Sequence, residues 1–256
     1  DVDVVGTSSL LCEAELLVLI HEILRQLGIQ DFTIHLNHRG ILKGIATLLD
    51  AADQEQALCI ALDKLDKVGE AKVMEELSQR GFSAAALERL GSLLDLSGTA
   101  EKLSQLEKQL ASTTAGMEGV HALQQIMTYT QLLGLNNASI TLDPRLARGM
   151  AYYTGAIFEV KIQHMDIGSI GGGGRYDRLT DIFGLPGMTG VGFSFGVERL
   201  YTVMETLGRF PEGIDRTSRM MLANMDPSSE KFALEVLTAL RAKGIAAELY
   251  PSCIKL

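Results

Sequence analysis

Ala156-Ile157-Phe158-Glu159-Val160-Lys161-Ile162 is followed by Gly171-Gly172-Gly173-Gly174-Arg175-Tyr176-Asp177 and then by the glycine-bearing run from Met188 to Phe195. In the first run Ala156, Phe158, Val160 and Ile162 recur with period two and share one face of a strand. Met188 to Phe195 reads as a further strand that passes straight into a helix beginning near Val197. Strands that succeed one another with few helices between them predict an antiparallel sheet and an α+β fold, not a doubly wound one. The tetraglycine run is read as backbone that a flat or anionic ligand can approach, because no Cβ holds it off.

Upstream, Ser139 to Leu142 is a short strand, and Arg148-Gly149-Met150-Ala151-Tyr152-Tyr153-Thr154-Gly155 sets an arginine beside paired tyrosines. Three glycine-and-arginine runs within sixty residues point to a pocket for a small polar molecule and a phosphate-bearing one. Arginine supplies fixed donors for carboxylate or phosphate, and tyrosines supply apolar walls with polar tips. Gly190, Gly192 and Gly196 are spaced one residue too widely for the dinucleotide fingerprint, and no P-loop occurs. Arg199 falls in the first turn of the following helix, where guanidinium and helix dipole both favour phosphate. A tight strand-to-helix joint explains these glycines nearly as well.

Towards the start, Asp1 to Val5 alternates as a strand, and Ser8 or Ser9 is the expected cap of a helix closed by Gly28. Phe32, Ile34 and Leu36 mark a second strand, followed by a helix from about Gly40 to Asp53. From about Gln54 to Gly134 the apolar spacing is helical throughout, with Ser83 and Ser97 as expected caps. This region reads as a helical insertion with a solvated charged face. Gly208 to Gly213 is a linker. Met220 to Ala223, a helix capped by Asp226 with Pro227 in its first turn and ended by Gly244, and Ile245 to Tyr250 make a β-α-β unit. The expected organisation is a core over 1–214, interrupted by the insertion at about 54–134, and the start of an α/β domain over 215–256. Because Asp1 lies inside an alternating run and the last unit is unfinished, the chain reads as an interior stretch of a longer protein.

Composition narrows the functional classes. With 46% hydrophobic and 21% charged residues the chain can bury a sizeable core, and a net charge of −9 provides no overall basic field for nucleic acid or acidic lipid. No apolar run is long enough to span a bilayer and no signal peptide is visible. Cys12, Cys59 and Cys253 are far apart in apolar surroundings and read as free thiols of a reducing, cytoplasmic compartment. His35 and His38 lack further ligands at metal spacing and read as structural.

The motifs together resemble the histidyl-tRNA synthetase family. Arg148 to Gly155 and Gly172-Gly173-Gly174-Arg175-Tyr176-Asp177 are similar to its two histidine-specific motifs, and Gly192 to Leu200 is similar to the third motif of class II synthetases. Asp1 to Gly6 resembles the end of the second class II motif, and Asn37 to Leu42 a further family run. Glu248-Leu249-Tyr250-Pro251 is similar to part of the anticodon-binding domain. The resemblance implies a class II antiparallel sheet flanked by helices, histidine, ATP and tRNA(His) as substrates, Mg2+ as cofactor, and a cytoplasmic homodimer. It assigns Arg148 as the catalytic arginine between carboxylate and α-phosphate, and Asp3 to the substrate ammonium. Tyr152, Tyr153 and Tyr176 fall to the histidine side, and Gly192, Gly196 and Arg199 to ATP. No metal ligand set is evident; Glu159 and Asp177 are candidates. Ala151 departs from the acidic or amide residue usual between the arginine and the tyrosines. Without the first motif and the second-motif arginine, the stretch alone is expected to be inactive. A rival reading is a non-catalytic relative, either the regulatory subunit of ATP phosphoribosyltransferase or a synthetase-like sensor domain.

Overall fold

A computed structural model describes residues 1–96, 100–135, 139–147, 152–211, 213 and 217–252. They form two compact units, Asp1–Leu207 and Gly208–Leu256.

The larger unit is built on a six-stranded sheet. Its strands are β1 (Val2–Val5), β2 (Phe32–His38), β3 (Ile140–Leu142), β4 (Ala156–Ile162), β5 (Ser169–Arg175) and β6 (Gly190–Phe195), in spatial order β1-β6-β5-β4-β2-β3. All pairs are antiparallel except β2 with β3, which run parallel. The tetraglycine run is itself a strand, β5, buried between β4 and β6. Glycine's low strand preference conceals it in the sequence, and its flanking neighbours are what hold it extended.

Helices α1 (Leu11–Gln26), α2 (Arg39–Leu48) and α8 (Thr114–Leu132) pack together and onto the sheet. Leu17, Ile20, Leu24, Ile41, Ile45, Val120, Leu123 and Ile126 meet Ile34, Leu36 and Phe158 in one buried core. Between α2 and α8 lie α3 (Glu55–Asp63), α4 (Leu65–Val68), α5 (Glu70–Gln79), α6 (Ala84–Leu94) and α7 (Ala100–Leu110). After β6 comes α9 (Val197–Thr206).

Helix ends explain where expectation and structure differ. Gly28 closes α1 as expected, with φ +75° and bonds from Gly28 N to Arg25 O and from Ile29 N to Leu24 O. Ser83 caps α6 by accepting from Ala86 N at 3.2 Å, whereas Ser97 lies outside the described residues. Ser9 Oγ accepts from Leu11 N at 3.3 Å, but the residue at the cap of α1 is Leu10. The expected helix to Asp53 stops at Leu48, because Asp50 takes φ +54° and a Schellman pair forms, Asp50 N to Thr47 O and Ala51 N to Ala46 O. An aspartate in the position usually held by glycine gave no stop signal.

The smaller unit holds β7 (Met220–Leu222), α10 (Glu230–Ala242) and β8 (Ala247–Leu249), with the two strands parallel. Asp226 caps a turn instead of the helix: its Oδ1 accepts from Ser228 N and Ser229 N, and α10 starts after Ser229.

Two details of the larger unit set its stability. Helices α2 and α8 approach so closely that a Cβ at Gly44 would lie 2.7 Å from Gly116 Cα and 2.9 Å from Thr113 Oγ1. At the N-terminus of α2, His38 Nδ1 accepts from Gly40 N at 3.0 Å, so that nitrogen must be unprotonated. Burial, and then the nearby Arg175 guanidinium, push the His38 imidazole down to about 4, against a smaller opposing pull from Asp177.

Gly44→Ala should cost about 1–3 kcal/mol through overpacking. Gly91→Ala in α6, where a Cβ would meet only Glu70 Oε1 at 3.9 Å, should gain about 0.5–1 kcal/mol from helix propensity. Urea melts of the two variants report the opposite signs. His38 in the unfolded chain takes up its proton near pH 6.5, before the folded chain does. Its contribution is therefore full above that pH and falls by about 3 kcal/mol as pH drops to about 4. His38→Asn, which keeps a capping oxygen, should remove that portion of the pH dependence of the denaturation midpoint.

Candidate active site

The face of the sheet opposite the helices carries the polar residues singled out above. Alternation on β5 and β6 sends Gly171, Gly173, Phe193 and Phe195 to the core side and Gly172, Gly174, Gly190 and Gly192 to the other. Absent side chains on that second face make room for particular groups. A Cβ on Gly192 would collide with the Asp3 carboxylate, one on Gly190 with the Tyr176 ring, and one on Gly174 would stand 2.9 Å from Tyr153 Cδ1.

In the space so cleared, Tyr176 Oη donates to Asp3 Oδ1 at 2.5 Å. Asp3 stands on β1 opposite Gly192 of β6, and Tyr176 is held by its backbone N bonding Gly190 O at 2.7 Å. Burial raises the Tyr176 hydroxyl above its ordinary value, as do its bond to Asp3 and the carboxylate charge, so it remains a donor at neutral pH. Tyr152 completes an aromatic cluster, its ring centroid 4.4 Å from that of Tyr153 and 6.3 Å, edge-on, from that of Tyr176. Tyr153 and Tyr176 are buried and Tyr152 half-buried. Four of the five residues assigned to one small molecule, Asp3, Tyr152, Tyr153 and Tyr176, thus converge in one corner. Arg148 lies outside the described residues.

Further along the same face is an open cavity of about 760 Å3, bounded by Gly171, Gly172, Ser194, Gly196, Glu159, Glu198 and Arg199. Arg199 is exposed in the first turn of α9, and its Nη1 donates to Ser169 O at 2.6 Å, which aims the guanidinium along the cavity wall. A smaller cavity of about 330 Å3 shares Glu159, Ser169 and Arg199 and continues to Lys161 and Asp143. Of the glycines assigned to the nucleotide, Gly196 lines the large cavity. Gly192 does not; it is the seat of Asp3 in the tyrosine corner. Of the metal candidates, Glu159 is on the cavity wall, whereas Asp177 Oδ2 accepts the Thr154 hydroxyl at 2.5 Å.

Arg175 is not a ligand arginine. Its Nε and Nη2 bind both oxygens of Glu13, and its Nη1 and Nη2 bond Thr7 O and Ser9 O. Glu13 is fully buried, and burying that charge is tolerable only because it is paired in a fork and hydrogen-bonded. One signal was available: Glu13 falls on the apolar stripe of α1 with Leu17, Ile20 and Leu24. His35 and His38, read from their spacing as structural, each have a polar partner. His35 Nδ1 meets Asp143 Oδ2 at 2.8 Å, and His38 caps α2. No cluster of three or more histidine, cysteine, aspartate or glutamate side chains able to hold a metal occurs among the described residues.

The sequence pattern of the family described as histidyl-tRNA synthetase matches residues 2–200. A histidine–tRNA ligase of Cytophaga hutchinsonii is 48% identical over 257 residues, an alignment covering 100% of this chain and 57% of that protein. One from Flavobacterium johnsoniae is 46% identical, covering 100% and 54%. The crystal structure of histidyl-tRNA synthetase from Nostoc sp. PCC 7120 superposes with a TM-score of 0.80 at 30% identity, over 99% of this chain and 61% of that one. A Bacillus halodurans C protein described as an ATP phosphoribosyltransferase regulatory subunit/histidyl-tRNA synthetase shares the fold, with a TM-score of 0.74 at 20% identity over 96% of this chain and 61% of that one. The chain spans about half the length of the curated relatives it matches. The family pattern runs from the strand that bears Asp3, through both tyrosine motifs, to the helix turn that bears Arg199, and the chain belongs to the histidyl-tRNA synthetase family.

Proposed function

We propose that the protein carrying this chain is a histidine–tRNA ligase. The histidine carboxylate attacks the α-phosphate of ATP, giving histidyl-adenylate and pyrophosphate, and the histidyl group then passes to tRNA(His). The observation that carries this reading is the Asp3 carboxylate, fixed by the Tyr176 hydroxyl among tyrosine rings, on the same sheet face as the Arg199 cavity. The carboxylate and phenol oxygens in one corner accept from the ammonium and N–H groups of histidine, and a phenol O–H donates to an unprotonated ring nitrogen. An analogue without such groups leaves them unpaired and is rejected by about 10⁴–10⁵.

Across the cavity, Arg199 faces the phosphates, with Gly196 at the wall where the chain turns into α9. Arg148 is proposed as the fixed cation that meets the charge growing on the α-phosphate. Mg2+ taken up with ATP would neutralise phosphate charge. Glu159, with Glu198, fits the usual pattern of one or two carboxylates completed by phosphates and water. We place the protein in the cytoplasm as a homodimer. The described cysteines, Cys12 and Cys59, are free, and no described helix is long and apolar enough to cross a membrane.

The rival is a non-catalytic regulatory or sensor protein of the same fold. Retention of Arg148, Tyr153, Tyr176 and Arg199 favours the enzyme. Histidine-dependent exchange of pyrophosphate into ATP by the product of the complete gene separates the two: a ligase performs it and a sensor does not. In that protein Arg148→Ala should lower kcat by about 10²–10³ with little change in histidine KM. Asp3→Ala should raise histidine KM and leave ATP KM in place. Small and equal effects in both variants would move the site elsewhere.

A further inference from the structure

Asp177 closes the glycine-rich tyrosine motif but takes no part in the chemistry above. Its Oδ2 accepts from the Thr154 hydroxyl at 2.5 Å, and the Asp177 backbone N donates to Thr154 Oγ1 at 3.0 Å. Thr154 N in turn donates to Arg175 O at 2.8 Å. These three bonds tie the residue after Tyr152 and Tyr153 to the residues on either side of Tyr176. The other oxygen, Asp177 Oδ1, is buried without a hydrogen bond, 3.6 Å from Arg175 Nη1. Neither oxygen faces the large cavity, whose carboxylates are Asp63, Glu159 and Glu198.

We propose that Thr154 and Asp177 are positioning residues, a clamp that holds the Tyr152–Tyr153 segment in register with Tyr176 so that the three rings and Asp3 form one pocket. Backbone pairing cannot do this alone. Tyr152 and Tyr153 precede β4 and Tyr176 follows β5, so both segments lie beyond the last residues paired between those strands, Ile157 with Gly174. The ring positions in a small-molecule site must hold to about 0.5 Å, and a reciprocal hydroxyl–carboxylate bond supplies that restraint. The clamp rests on the histidine reading of the pocket, and it removes Asp177 from the metal candidates.

The test uses pyrophosphate exchange by the complete protein and, separately, near-UV circular dichroism. The dichroism is read as the difference between variant and unmodified protein, which reports ring packing without turnover; this chain contributes six tyrosines and no tryptophan to it. Thr154→Val should raise histidine KM on the order of tenfold, as expected for loss of a hydrogen bond to a charged acceptor. ATP KM and kcat should stay within about twofold, and the tyrosine dichroism should change. Thr154→Ser should restore both readouts. Asp177→Ala should match Thr154→Val, and the double variant should be no worse than either single one, because both remove the same bond. Asp177→Asn, which keeps an acceptor, should leave the Mg2+ concentration for half activity unchanged. An unaltered histidine KM and dichroism in Thr154→Val would overturn the clamp, as would KM for both substrates, kcat and melting temperature shifting together. A raised Mg2+ requirement in Asp177→Asn would return Asp177 to the metal. Absence of exchange by the unmodified protein would instead remove the histidine reading, and the dichroism would still decide the clamp.

Discussion

On this sheet a side chain can stand over a neighbouring strand only where that strand presents none. Asp3 occupies the place that a Cβ on Gly192 would take, and Tyr176 leans over Gly190. Steric exclusion is absolute at these distances, so the bond between Asp3 and Tyr176 exists because two alternate residues of β6 are glycine. Their cost is the poor strand preference of glycine, offset here because β5 and β6 each have a paired strand on both sides. The pocket and the sheet are therefore one structural problem, solved by the same residues.

Burial separates two arginines that look equivalent in sequence. Both Arg175 and Arg199 follow glycine-bearing strands. Arg175 points to the helix side, where a guanidinium needs a matched carboxylate, and Glu13 with two backbone carbonyls takes four of its five N–H donors. Arg199 stays in solvent with one contact to Ser169 O, which leaves donors for an anion. Alternation along the strand decides the matter: Arg175 pairs with Val191, a core position, while the ligand face belongs to the glycines between.

That parity explains what was legible in the sequence. Hydrophobic alternation gave β1, β2 and β4, the glycine-bearing run into a helix gave β6, and helical spacing with Gly28 and Gly244 located the ends of α1 and α10, because each signal is carried by side chains or by a glycine that must adopt positive φ. β5 was hidden because a run of glycines has no face to alternate. The stop of α2 was hidden because Asp50 does the work of a glycine, and the parallel pairing of β3 because three residues carry no sign of direction. For the site, the resemblance to a family, not residue types or spacing, grouped Asp3 with Tyr152, Tyr153 and Tyr176 as a set. The division of labour among Gly192, Gly196, Asp177 and Arg175 required knowing which face each presents, and a one-residue change in register reverses that answer.

The same strand also sets the distance between the two halves of the site. Gly192 marks the corner proposed for the amino acid and Gly196 the cavity proposed for the phosphates, four residues on, or about 13 Å of extended chain. Pairing of Phe193, Ser194 and Phe195 with β5 holds that span, while the groups at its ends come from different elements, β1 at one and α9 at the other. The proposed ligand, which carries both an amino acid and a nucleotide, would be measured against that single span. Either half can vary its contacts without altering the separation, and changes along β6 between them would alter both halves at once.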